Sequence, residues 1–136
     1  MDRYLGKYSA LLYAALRLVA GLLFACHGAQ KLFGVLGAQP ELSDPEGVTA
    51  GIIEFVGGSM IALGLASSYA AFVASGEMAV AYFKAHATRG LWPILNRGEL
   101  AAVYSFLFLY IASRGSGSFS VDTVIAKRRT RPVHVG

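Results

Sequence analysis

Cys26-His27-Gly28-Ala29-Gln30-Lys31-Leu32-Phe33-Gly34 closes the first long apolar run of the chain with hydrogen-bonding and proton-carrying side chains. His27 and Lys31 are one helical turn apart and Gln30 falls between them in angle, so a continuing helix puts all three on one face. Glu54, Glu77, His86, Asn96 and Glu99 stand in the same relation to the other apolar runs. The pattern predicts membrane-spanning helices assembled around polar groups.

Upstream of this stretch, residues 1–9 are short and polar, with Arg3, Lys7, Tyr4 and Tyr8 where interfacial anchors belong. From Ala10 to Phe33 the run gives a helix of about 24 residues, against the roughly 20 that a bilayer core needs. A cleaved signal peptide is the competing explanation, with Leu23-Phe24-Ala25-Cys26 as a lipoprotein-like box. Phe24 fits that box poorly. The length of the run, Arg17 within it and three further apolar segments weigh against cleavage.

Downstream, residues 34–47 read as a loop with Gly37, Pro40, Pro45 and only acidic charges (Glu41, Asp44, Glu46). Ser43-Asp44-Pro45-Glu46 is a helix-start signal. The second span runs from Val48 to Ala66 around Glu54. Gly47, Gly51, Gly58 and Ala62 share its face with Glu54, a small-residue spacing that lets helices approach closely. Ser67-Ser68 forces a hairpin into a third span, Tyr69 to Ala87, which carries Glu77, Lys84 and His86. A polar loop with Trp92-Pro93 and Asn96-Arg97-Gly98 follows, then a fourth span, Glu99 to Ser113. Three units result: a cytoplasmic N-terminus (1–9), a four-helix membrane domain (10–114) and a basic tail (115–136) with a short interfacial helix over 122–129. The predicted fold is an all-α, integral membrane four-helix bundle.

Composition agrees with a lipid-facing surface. Of 136 residues, 55% are hydrophobic and 15% charged, where soluble domains carry about 25% charged residues. The net charge of +4 is concentrated in Lys127-Arg128-Arg129-Thr130-Arg131 rather than spread along a groove, which argues against nucleic-acid binding. Cys26 is the single cysteine, which excludes an intramolecular disulfide, a CxxC motif or a cysteine-held cluster. With three histidines, His134 among them in the tail, no metal site is expected.

An even number of spans puts both termini on one side. That side collects Arg3, Lys7, Arg114 and the basic tail, so the termini are expected in the cytoplasm. Counted from the span starts, Arg17 and Glu77 both fall about 10–12 Å deep, and a buried Arg17–Glu77 ion pair is expected. Near the opposite face, all four spans supply polar groups at one level. His27, Gln30, Lys31, Glu54, His86, Asn96 and Glu99 are the expected lining of a polar pocket, although each alone could cap or snorkel. His86 is nearly opposite Glu77 on a regular helix, so either the third helix unwinds near Ala85 or His86 faces outward.

The combination His27-Gly28-x-Gln30-Lys31-Leu32-Phe33-Gly34, Glu54-x-x-Gly57-Gly58, Glu77-Met78-x-x-Ala81-Tyr82-Phe83-x-x-His86 and Asn96-x-Gly98-Glu99 resembles the DoxX family. Arg17 before it and Gly115-x-Gly117-x-x-Ser120-x-Asp122 after it also fit, so the resemblance covers nearly the whole chain. It implies a small four-span protein of the bacterial inner membrane. The family is named after a subunit associated with thiosulfate:quinone oxidoreductase, and some members are linked to membrane redox or thiol-stress systems. The function this implies is an accessory or quinone-linked membrane subunit of a redox system, with no intrinsic cofactor, quinone as the ligand and a redox protein as partner. In that scheme His27 and His86 hydrogen-bond or protonate the ligand, Glu54 and Glu99 relay protons, and Lys31 or Arg97 holds negative charge. A proton-coupled or small-solute carrier, or a scaffold, is the alternative. Glycine-rich faces also leave surface for a homodimer.

Overall fold

A computed structural model describes residues 2–40 and 42–130, the side chain of Asp2 excepted. The expected basic residue Arg131 and His134 lie outside the described residues, as does Glu41. Among the described residues every regular element is helical.

Helix α1, Ser9–Phe33, is preceded by short helical turns, so helical backbone extends from Arg3 to Phe33 over 31 residues. It stops at Gly34, whose φ of 64° is open to glycine at little steric cost, and the Gly34 N–H donates to the Gln30 carbonyl. Helix α2, Pro45–Leu63, begins where the Asp44 carboxylate accepts from the Glu46 and Gly47 amides at 3.2 and 3.0 Å. Its middle, Ile53–Gly57, is a π-helical turn. Helix α3, Ser67–Ala81, continues as a second π-helical turn, Tyr82–His86. After a loop with one helical turn at Pro93–Asn96, helix α4 covers Glu99–Arg114. Helix α5, Val121–Arg129, starts where the Ser120 hydroxyl accepts from the Thr123 amide at 3.2 Å. Two of these helical runs, Arg3–Phe33 and Pro45–Leu63, are long and apolar enough to cross a membrane.

Helices α1 and α2 run antiparallel with their backbones in contact. A Cβ on Gly21 would lie 2.5 Å from the Ala62 nitrogen, one on Gly58 would lie 2.5 Å from the Ala25 nitrogen, and one on Gly28 would overlap Phe55 backbone. The glycine face expected on α2 therefore meets a matching glycine face on α1. Helices α3 and α4 pack through Ala70, Ala71 and Ala74, and Ser75 and Ser105 donate to each other's carbonyls at 2.8 and 3.2 Å. Phe24, Ile61, Ala71, Phe108 and Ile111, drawn from all four long helices, form one buried core. Phe24 and Tyr104 pack against Phe108 with ring centroids 4.7 and 5.1 Å apart.

The exterior is as apolar as this core. Leu12, Val19, Leu22, Phe72, Val103 and Phe106 are at least half exposed. Large apolar side chains on the exterior are unlike a water-soluble helical domain, and the glycine contact of α1 with α2 matches packing in lipid, where close van der Waals contact rather than water exclusion holds helices together.

Candidate functional site

Two polar clusters sit at opposite ends of the helices. At the end where α1 begins, Arg17 is 2% exposed and its guanidinium donates to the Ser116 carbonyl and, at 2.8 Å, to the Phe119 carbonyl. The Asp122 carboxylate accepts from the Ala66 amide at 2.9 Å and the Ser116 hydroxyl at 2.5 Å, and the Asp122 amide donates to Gly64 at 3.1 Å. Tyr13 donates to the Gly115 carbonyl at 2.6 Å. A Cβ on Gly64 would overlap Arg17 and come within 2.5 Å of Ser120. The 115–122 segment is thus a clasp that fastens α5 across the ends of α1, α2 and α3.

This corrects the expected Arg17–Glu77 pair. Depth counted from Ala10 overestimates how far Arg17 penetrates, because residues 3–12 of α1 are exposed and precede the packed core. Arg17 is level with the α2–α3 turn at Gly64, whereas Glu77 is ten residues, about 15 Å at helical rise, beyond Ser67 at the start of α3. Backbone carbonyls take the two terminal guanidinium nitrogens of Arg17 instead, while its buried Nε makes no hydrogen bond.

At the other end, Lys31 Nζ meets Glu54 Oε1 at 2.8 Å, with Glu54 3% exposed. Glu77 is within electrostatic reach of both. Glu54 is carried on the π turn of α2, and the extra residue in such a turn changes which side chains face inward. Lys31 and Glu77 line a cleft of about 1010 Å³ between α2 and α3. Ile53, Phe72, Val73 and Val80 are among its apolar lining. At its mouth Lys84 Nζ bridges to Glu46 Oε2 at 2.6 Å, both groups more than half exposed. The Glu77 Oε2 atom is buried and makes no hydrogen bond.

Of the seven expected pocket residues, Lys31 alone lines this cleft. Glu54 stands behind it as the partner of Lys31. Gln30 donates to the Leu36 carbonyl at 3.2 Å and ties down the loop after α1. His27 and Glu99 are exposed. Asn96, 2% exposed, donates to the Gly90 carbonyl at 2.6 Å and to Tyr82 at 3.3 Å, and accepts from the Gly98 amide at 2.7 Å. His86 Nδ1 is 3.2 Å from the Asn96 carbonyl and its ring stacks on Tyr82. The expected unwinding near Ala85 is present as the π turn, and it directs His86 to the loop rather than to Glu77. Asn96 and His86 therefore organise the loop. Glu46 and Lys84 were not expected in the site. A signal for Lys84 lies in the sequence, because Val73, Glu77, Val80 and Lys84 fall at i, i+4, i+7 and i+11 on one helical stripe.

Among the described residues no group of three or more His, Cys, Asp or Glu side chains is placed to hold a metal ion. The cleft and its ionisable residues fall within residues 12–87, the part of the chain that the DoxX family profile matches. That match covers more than half of the sequence. The chain belongs to the DoxX family. An uncharacterized protein of Haemophilus influenzae is 40% identical over 131 residues, covering 91% of this chain and 98% of that protein. No solved structure matches the chain. This DoxX chain thus places Lys31, Glu54, Glu77 and Lys84 inside the family match, and Asn96 and the Ser116–Asp122 clasp beyond it.

Proposed function

We propose that this DoxX-family chain crosses the bacterial inner membrane four times with both termini in the cytoplasm, and serves as a quinone-linked accessory subunit of a redox system. The observation that carries this proposal is the cleft between α2 and α3, whose apolar lining surrounds a charged floor of Lys31 and Glu77. An opening between two neighbouring helices on an apolar exterior admits a molecule from lipid more readily than a solute from water.

The residues fit a quinone. The buried, unpartnered Glu77 Oε2 is an acceptor in need of a donor, and the Lys31 ammonium is a donor held in place by Glu54. Lys31 and Glu77 would hold the ring oxygens, with Ile53, Phe72 and Val80 against the ring and tail. A bound quinone supplies two-electron, two-proton chemistry that the chain's own side chains lack. Glu54 fixes the Lys31 ammonium by charge. Lys84 and Glu46, at the mouth, can exchange protons with water.

The orientation follows from the charges. Arg3, Lys7, Arg114, Lys127, Arg128 and Arg129 gather at the clasp end, which the positive-inside rule assigns to the cytoplasm. The cleft then opens towards the outer leaflet. A reporter enzyme active only in the cytoplasm, fused after Gly136, should be active; an inactive fusion would reverse the topology. Membranes carrying the protein should show altered quinone reduction when a redox partner enzyme is present, and deletion of the gene with no change in that rate would sink the quinone link.

One observation favours a second function, a proton-coupled carrier: two carboxylates, Glu54 and Glu77, face the single ammonium of Lys31. Reconstituted vesicles that take up solute when a pH gradient is applied would decide for it.

A further inference from the structure

We infer that the α2–α3 cleft selects for an amphiphile whose head donates hydrogen bonds, so that it holds the hydroxyl-bearing, reduced form of a quinone more tightly than the oxidised form. The inference rests on the quinone reading of the same cleft and adds a preference to it.

The Lys31 ammonium is engaged by Glu54 at 2.8 Å. Glu77 is within electrostatic reach of that cation, and its Oε2 receives no hydrogen bond although it is buried. Ser75 lines the cleft too, but its hydroxyl donates to the Ser105 carbonyl at 2.8 Å. At the mouth, Lys84 is engaged by Glu46. The floor therefore presents a buried carboxyl oxygen at Glu77 without a donor, while the Lys31 and Lys84 ammoniums each already hold one carboxylate. A buried acceptor left alone is unfavourable, and a ligand that supplies its donor removes that penalty.

The two forms of one quinone differ at the head in this property alone. The reduced ring presents two hydroxyl donors; the oxidised ring presents two carbonyl acceptors, which would meet the Glu77 oxygen lone pair to lone pair. The cleft volume of about 1010 Å³ lies at the upper end of ligand pockets, roughly 300–1,000 Å³, and accommodates a substituted ring with part of its tail. Phe72, Val73 and Val80, apolar and exposed towards lipid, suit that tail in either form. Discrimination therefore falls to Glu77.

The test uses the full chain in nanodiscs and the matched probes decylubiquinol and decylubiquinone, kept anaerobic, with equilibrium binding as the readout. One hydrogen bond to a buried, otherwise bare carboxyl oxygen predicts a dissociation constant about tenfold lower for the reduced probe, equivalent to raising the bound couple's potential by about 30 mV. Glu77→Gln places an amide donor beside the ligand and should bring the two constants together, while Glu77→Asp, which keeps a carboxylate, should retain a preference for the reduced probe. Equal binding, or tighter binding of the oxidised probe, by the unaltered protein overturns the inference while leaving the quinone site standing. Binding of neither probe overturns the quinone site itself. Because the decisive comparison uses the unaltered chain, it survives any failure of the variants to fold.

Discussion

The clasp around Arg17 and the cluster around Lys31 each set one cation near acidic side chains, Asp122 in the first and Glu54 and Glu77 in the second, yet they are finished differently. In the clasp, Arg17 spreads its donors over the Ser116 and Phe119 carbonyls and Asp122 is taken up by a backbone amide and a hydroxyl. Its partners come largely from the backbone of a tight loop, and the cavity beside Ser116 and Asp122, about 390 Å³, is much smaller than the cleft. In the cleft, Lys31 has a side-chain partner, Glu77 keeps a buried oxygen without a donor, and an open space lies beside them. Both helices that wall the cleft carry a π turn, whereas the regular part of α4 has none. The difference is in what is left over: at the clasp a guanidinium Nε, a donor, has no hydrogen bond, and in the cleft a carboxyl oxygen of Glu77 has none and borders the larger cavity.

The largest effect expected is not in either cluster but in the contact that brings them into register. Gly28→Val places a Cβ and two methyl groups into the backbone of α2 at Phe55, so α1 and α2 cannot close and no monodisperse protein should be recovered by gel filtration. Gly76→Ala is the control, since a Cβ there meets nothing within 4 Å, and its product should elute normally. Next comes Arg17→Met, which strips two part-buried carbonyls of their donor. Unfolding by detergent titration should show a loss of up to about 2–6 kcal/mol, from about 1–3 kcal/mol for each of the two orphaned groups. Ligand binding by the surviving folded fraction should be unchanged. A variant as stable as the parent would mean that the clasp is not what fixes that end of the helices.

How far these clusters could be foreseen depended on whether their residues are related by helical period. The four long helices, the glycine face on α2 and the helix after Ser120 are legible because apolar runs, Asp-Pro and Ser caps and small-residue spacing are local signals. The polar residues at the ends of the runs are visible too, but their destinations are not. Asn96 and His86 turn to each other through loop backbone, and His27 turns out because Gly28, one residue on, must face α2. Depth counting failed for Arg17 because the helix starts before the packed core does. The π turns at Glu54 and at Tyr82–His86 carry no plain local signal, and they change the faces from which the cleft is made.

Glu77→Gln separates the two ends most directly by sign. Removing a buried charge that has no hydrogen bond at Oε2 should leave stability unchanged or raise it by up to about 1 kcal/mol, as is common where a site is built for function rather than stability. The same detergent titration that registers a loss for Arg17→Met would then register none for Glu77→Gln. A loss of several kcal/mol at Glu77 would make both clusters structural and remove the contrast.

The smallest effect on stability is expected at the mouth of the cleft. Lys84 and Glu46 are 58% and 76% exposed, and their bridge, although 2.6 Å long, is a solvent-screened pair of a kind that contributes about 0–1 kcal/mol. Lys84→Ala should therefore shift unfolding by less than about 0.5 kcal/mol, and raising the salt should erase even that difference. Its consequence is in access rather than in folding. The bridge crosses from the first turn of α2 to the π turn of α3, so losing it should quicken both entry and exit of a cleft ligand and leave the dissociation constant nearly unchanged. Glu46→Gln should do the same, and the double variant should add nothing to either alone, because each single change already breaks the one bridge. Stopped-flow association and dissociation rates measure this directly. If the rates do not move, the bridge is an incidental surface contact; if the stability moves as much as it does for Arg17→Met, the cleft end is clasped in the same sense as the Arg17 end.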